Sequence, residues 1–141
     1  MALRSLASLE MAAAKEAVVR RMIDALQRGD GVAIGELLSD DVVYHFPGRS
    51  VVGGTYRGRD EVLGLSRRFA GMLDGPLRLS NHDVVASEAH VVELATYAAE
   101  RDGQPYQWHA VRIYHIAEDK ITEIWLMIGD IYAFDAWLGG D

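Results

Sequence analysis

The chain is 141 residues long, 50% hydrophobic and 25% charged, a balance that fits one folded domain over 1–141 and excludes a disordered or fibrous polymer. Its 14 Lys and Arg residues stand against 21 Asp and Glu, for a formal charge of −7. That field repels phosphate backbones, which argues against nucleic acid as a partner, and the lack of cysteine excludes disulfide scaffolds, thiolate metal sites and cysteine nucleophiles.

Residues 1–8 are expected to be disordered. Glu10 interrupts the apolar stretch that a signal sequence would need, and no run approaches the ~18 apolar residues of a membrane span. The expected location is therefore the cytoplasm, away from membranes. From about Ser8 to Arg28 the pattern is helical, with Val18, Met22 and Leu26 on one stripe, widened by Val19 and Ile23. Gly29 stops it. Gly31 to Leu38 reads as a short second helix closed by Ser39, Asp40 and Asp41, and the β-branched and aromatic run Val42–Phe46 reads as a strand halted by Pro47-Gly48.

Residues 47–58 hold four glycines and predict a loop with an extended piece at Ser50–Val52. A third helix opens at Arg59 or Asp60, buries Val62, Leu65 and Phe69, and ends at Asp74-Gly75-Pro76. Four strands follow, at Leu77–Ser87, His90–Ala99, Tyr106–Ile116 and Ile121–Gly129, with separators short enough for hairpins. The aromatic tail Asp130–Leu138 predicts a helical turn packed back on the domain. Three helices followed by an antiparallel meander give an α+β class, with a curved sheet folding over the helices to leave a conical pocket.

Four stretches carry a family resemblance: MIDALQRGD followed by LLSDDVVYHFPG; GGTYRGRDEVL; RDGQPYQWHAVRIYHI; and DKITEIWLMIGDIYAFDAW. Over roughly residues 18–138 the chain resembles the nuclear-transport-factor-2-like (NTF2-like) superfamily, and within it the SnoaL-like polyketide cyclase and ketosteroid isomerase branch. The resemblance implies a cone-shaped curved sheet, mixed or antiparallel, wrapped around three helices from the N-terminal half, a cystatin-like α+β barrel. It implies a choice among isomerases, cyclases, epoxide hydrolases and binding proteins, since the fold does not choose between them. Where ketosteroid isomerases place a tyrosine and two aspartates, this chain has Met22, Phe46 and Val111, which argues against steroid isomerisation. Where limonene-epoxide-hydrolase-like members place Arg-x-Asp, it reads His109-Ala110-Val111. The late aspartate used as acid or base by SnoaL-like cyclases is matched by Asp130.

Strand alternation puts Ile124, Leu126, Ile128 and Asp130 on one face, the cavity side, with Trp125 and Met127 outward. An aspartate at an apolar rim suits acid–base work, and Asp is equally a favoured helix N-cap, so both readings of Asp130 stand. His109, Val111, Ile113 and His115 share a face. If that face lines the cavity, His109 is a second proton carrier, against the reading of a packed wall histidine. Tyr44 and Tyr56 are candidate donors to a ligand oxygen, and Met22, Phe46, Val111, Ile113, Leu126 and Ile128 the expected apolar contacts. His45 points away from Tyr44 and Phe46, and His82 and His90 are ordinary strand-end residues. The outward Trp125 and Met127 favour a homodimer.

No phosphate-loop, nucleophile-elbow or metal-ligand spacing is present, so neither metal nor cofactor is expected. These residues predict a cofactor-independent acid/base enzyme for a small apolar carbonyl- or epoxide-bearing substrate, such as a polyketide intermediate. The rival is a non-catalytic ligand-binding or structural dimer.

Overall fold

The computed structural model of the chain describes residues 5–139. Ser5 accepts the Ser8 amide at 3.0 Å and so caps α1 (Leu6–Arg28). The helix thus begins earlier than its apolar stripe suggests, and residues 5–8, expected to be disordered, form its cap and first turn; residues 1–4 lie outside the described residues. Val18, Val19, Met22, Ile23 and Ala25 bury one face of α1. α2 (Gly31–Leu37), capped by Asp30, runs directly into β1 (Leu38–Phe46). Ser39, Asp40 and Asp41, expected to close the helix, are instead the irregular start of the strand, where its register shifts between Leu38 and Val43.

The glycine-rich loop also departs from expectation. Its extended piece is β2 (Gly54–Arg57), paired antiparallel with β1 so that Tyr56 lies opposite Tyr44. Ser50 and Val52 are buried in a turn in which the Ser50 hydroxyl accepts the Val52 amide at 3.3 Å. Gly48 has φ 89°, and a Cβ there would stand 2.9 Å from Ile131 Cδ1, so only glycine fits. This close approach lets Asp135 accept the Arg49 amide at 2.8 Å and tie the loop to the C-terminal helix.

α3 (Arg59–Gly71) is followed by the meander β3 (Arg78–Ala86), β4 (Val91–Arg101), β5 (Gln104–Ala117) and β6 (Lys120–Ile128). Both later hairpins turn on two residues of positive φ, Asp102-Gly103 and Glu118-Asp119, the signature of tight turns that match strand twist. α4 (Ile131–Leu138) closes the chain, burying Phe134 and Leu138. The six strands form one curved, unclosed sheet in the order β2-β1-β6-β5-β4-β3, with β1 and β6 parallel and every other pair antiparallel. Helices α1 and α3 pack into its concave side.

A bulge between β5 and β6 sets which side chains of β6 face inward. The pairing Ile116↔Ile121, continued regularly, would place Ile113 opposite Ile124 and His109 opposite Ile128. Instead β6 carries an extra residue at Thr122, whose hydroxyl donates to the His115 carbonyl at 3.3 Å. The observed pairs are Tyr114↔Ile124, Arg112↔Leu126 and Ala110↔Ile128. The extra residue exchanges the faces of β6 between Ile121 and Ile124, both buried, while β5 keeps one alternation from Trp108 to Ile116. Trp108, Ala110, Arg112 and Tyr114 therefore turn inward, while His109, Val111 and Ile113, expected on the cavity wall, lie on the convex face.

Candidate functional site

The concave side of the sheet holds a cavity of about 500 Å³. Met22 and Leu26 of α1, Ile34 of α2, and Val62, Leu65 and Phe69 of α3 form one wall. Tyr44 and Phe46 of β1, Tyr97 of β4, Trp108, Arg112 and Tyr114 of β5, and Ile124, Leu126 and Ile128 of β6 form the other, with Phe134 of α4 beside them. Exposed lining residues, among them Gln27, Arg67 and Leu77, mark the mouth between the C-terminal end of α1, α3 and the segment before β3. The aromatic part is a continuous cluster. Trp108 stacks on Tyr97 at 5.6 Å and meets Phe134 edge-on at 5.2 Å, and Phe46 and Phe69 complete it.

Among the sheet residues of this lining one is charged. The Arg112 guanidinium donates from Nε to the Tyr44 hydroxyl at 3.3 Å and lies 5.2 Å over the Tyr97 ring. Its Nη1 is buried without a partner, as is the Tyr97 hydroxyl. Glu93 faces Arg112 across the β4–β5 ladder and is wholly buried. It makes no ion pair with Arg112: one carboxylate oxygen accepts the Tyr114 hydroxyl at 2.8 Å and the other accepts the Asn81 amide at 3.4 Å.

Burial pushes the Tyr97 hydroxyl well above its ordinary pKa, only partly opposed by the positive charge of Arg112. Burial likewise pushes up Tyr114, and the neighbouring Glu93 carboxylate adds to it. Burial works to lower the pKa of Arg112, but Tyr44, Tyr97, Tyr114 and Glu93 outweigh it and the net direction is up. Arg112 is thus a permanent cation beside the Tyr97 and Tyr114 hydroxyls, which burial holds in the protonated form.

Of the expected ligand contacts, Met22, Tyr44, Phe46, Leu126 and Ile128 line the cavity. Tyr56 does not; its hydroxyl donates to the Val52 carbonyl at 2.7 Å and holds the glycine-rich loop. Val111 and Ile113 do not, by the alternation of β5 given above. Asp130 is exposed, in the left-handed conformation with φ 51°, and accepts the Ala133 amide at 3.1 Å as the N-cap of α4. The chain turns at Gly129-Asp130, so strand alternation no longer governs where the aspartate points. His109 is exposed on the convex face and its Nδ1 meets the Thr96 hydroxyl at 3.0 Å.

Arg112, Tyr97, Tyr114 and Glu93 are the residues that the reading of the sequence missed. A signal for Glu93 exists: it interrupts the alternation Val91, Ala95, Tyr97, Ala99 on the buried parity of its strand. For Arg112 the signal misleads, because a charge on one parity of β5 makes the other parity look like the core.

The convex face gathers all five histidines. His45 bonds Glu123 at 2.6 Å and stacks on Trp125 at 5.5 Å, and His115 approaches the same carboxylate at 4.0 Å. His90 meets His115 at 4.4 Å with the rings tilted by 42°, while His82 and His109 share Thr96. Among the described residues no three metal-ligating side chains converge, and no helix is long and apolar enough to cross a membrane.

The family model for the SnoaL-like domain matches residues 19–124. An uncharacterised protein of Mycobacterium tuberculosis, Rv0034, is 26% identical over 108 residues, which cover 76% of this chain and 82% of that protein. The structure of Bal32a, from a soil-derived mobile gene cassette, superposes with a TM-score of 0.87 at 24% identity, over 91% of this chain and 98% of that one. The structure of a limonene-epoxide-hydrolase-like (LEH-like) epoxide hydrolase of Mycobacterium tuberculosis superposes with a TM-score of 0.71 at 21% identity, over 89% and 91%. Both structural likenesses are likenesses of fold.

Proposed function

The chain belongs to the SnoaL-like domain family, and from that premise we propose that it is a cofactor-independent enzyme for a small, largely apolar, carbonyl-bearing molecule. The observation that carries the reading is a guanidinium with an unpartnered Nη1 in the wall of a largely apolar cavity. Arg112 and the hydroxyls beside it hold the oxygen end of the substrate and stabilise the enolate charge that develops there, while a water or hydroxide entering at the mouth takes the α proton, since among the described residues no carboxylate or imidazole lines the cavity to do so. Asp130 and His109, read from the sequence as the proton carriers, stand outside the lining and take no part in this reading.

The test is α-proton exchange of 2-acetonaphthone in D2O, followed by mass spectrometry. The expected result is exchange faster than buffer with the wild-type protein and lost in Arg112→Met. A second reading, a binding protein without chemistry, is favoured by one observation: among the described residues no Asp, Glu or His lines the cavity. Calorimetric binding of the ketone without exchange selects it.

The convex face carries the other half of the proposal, association with a second copy of the chain. Met127 is 53% exposed and Leu94 39% exposed, and they flank the half-buried Trp125, Val111 and Ile113 on one continuous sheet surface. Light scattering is expected to give twice the chain mass for the wild type and the single chain mass for Met127→Glu. A monomeric wild type removes this half and leaves the cavity reading intact.

A further inference from the structure

Resting on the reading of the cavity as a ligand site, we propose that the Arg112 wall is built for a carboxylate, so that the carbonyl-bearing molecule it prefers is a small apolar acid.

Three observations point the same way. The first is the count of hydrogen-bonding roles. Arg112 Nη1 and the Tyr97 hydroxyl are buried and unpartnered, and the Tyr44 hydroxyl, having accepted from Arg112 Nε, keeps its own proton to donate. The partly exposed Arg112 side chain and the Tyr44 hydroxyl line the cavity, and Nη1 and the Tyr97 hydroxyl lie just behind that surface, unpartnered and within reach of a ligand once a side chain shifts. A neutral carbonyl oxygen offers two lone pairs, whereas a carboxylate offers about four and takes a guanidinium in parallel pairs. Buried donors left without acceptors are costly, and a ligand that draws them into contact recovers that cost on binding.

The second is charge. A buried cation is ordinarily matched by an anion in contact. The carboxylate best placed for that role is Glu93, directly across the ladder from Arg112. It is committed elsewhere, to Tyr114 and to Asn81, and the contact position on Arg112 is left to whatever fills the cavity. Glu93 therefore tunes the site from a distance without occupying it.

The third is the surroundings. Tyr97, only 3% exposed, holds its ring under the guanidinium and Tyr44 accepts from Nε, which fixes Arg112 in place before any ligand arrives. Trp108, Phe46 and Phe134 accept the rest of the molecule. A preorganised cation in a low-dielectric pocket discriminates an anion from its neutral isostere far more strongly than an exposed arginine does. Arg67 at the mouth adds a cation on the route in.

The experiment is isothermal titration of the full-length protein with 2-naphthoate and with 2-naphthamide, two molecules of nearly the same shape that differ in charge. For the wild type at pH 7.5 the expected dissociation constant is at least tenfold lower for the acid. In Arg112→Met the preference falls to within twofold, while the amide binds within about threefold of its wild-type value. Tyr97→Phe, which keeps the ring and removes one donor, guards against a folding defect in the arginine variant and lowers the preference by a smaller factor of about three. Equal affinity for acid and amide in the wild type, or a preference that survives Arg112→Met, overturns the carboxylate assignment and leaves the cavity reading standing. Failure of both molecules to bind at millimolar concentration overturns the cavity reading and the assignment together.

Discussion

On β5, neighbours in sequence live in two different solvents. Trp108, Arg112 and Tyr114 point into an enclosed space roofed by three helices, where every polar atom must find a partner or go without. His109 and His115, one residue away from them, lie on the convex face, where water and a row of imidazoles and hydroxyls offer partners freely. The amino acids on the two sides are not sorted by polarity: arginine, glutamate and tyrosines are inside, valine and isoleucine outside. What differs is the cost of leaving a group unpaired. An unpartnered Nη1 or phenol inside the cone costs a few kcal/mol and is retained there for a reason, whereas the exposed imidazole of His109 costs almost nothing. The concave face is therefore where function is to be sought, even though the convex one holds more titratable side chains.

The largest effect that sharpens this contrast is alkaline. Tyr97 and Tyr114 have folded-state pKa values raised above 10.0 by burial, while both ionise near 10.0 in the unfolded chain. Below pH 10 each keeps its proton in both states and contributes nothing to the slope. Above it the unfolded chain loses protons that the folded chain retains, so stability falls as pH rises, by about 1.4 kcal/mol per pH unit for each of the two phenols. Urea denaturation between pH 9.5 and 11.5 is expected to show that fall. Tyr106 is raised as well and adds a smaller share, so Tyr97→Phe is expected to remove between a third and a half of the slope, whereas Tyr132→Phe, at a position 85% exposed, leaves it as it was. A wild-type slope insensitive to Tyr97→Phe would mean that the phenol ionises freely, and the inner end of the cavity would then be wet.

Much of this architecture is legible in the sequence. The helix over residues 59–71, the β-hairpins at 101–104 and 117–120, and the inward pairing of Tyr44 with Phe46 follow from periodicity and turn chemistry, signals that lie within a few residues of one another. The register of β5 against β6 does not. It depends on whether the β5–β6 ladder carries an extra residue, and nothing local at Thr122 announces one, since threonine fits a regular strand equally well. The family resemblance puts Val111 at a site position, and strand alternation carries His109 and Ile113 to the same wall and turns Arg112 away from it. Asp130 is a different matter. Its two roles, rim acid and helix cap, use the same oxygen atoms and the same sequence position. Only the left-handed backbone at the turn decides between them, and it turns the carboxylate toward the Ala133 amide.

That decision is open to the smallest and most discriminating measurement. Asp130→Asn keeps an oxygen that caps α4 and a residue type that tolerates φ 51°, while it removes the charge and the titrating proton. Asp130→Ala removes the cap as well and is expected to cost about 1–2 kcal/mol. The expected pattern is a lower melting temperature for the alanine variant and almost none of that loss for the asparagine. His109→Ala is expected to change stability by less than about 0.5 kcal/mol, as a surface substitution. All three are expected to bind 2-naphthoate as the wild type does, because none touches the lining of the cavity. If Asp130→Asn instead weakened binding or slowed exchange of the ketone while leaving the melting temperature unchanged, the aspartate would be acting on the ligand. The loop before α4 would then have to swing Asp130 inward when the cavity is filled, and the two faces of the sheet would be less separate than their side chains make them.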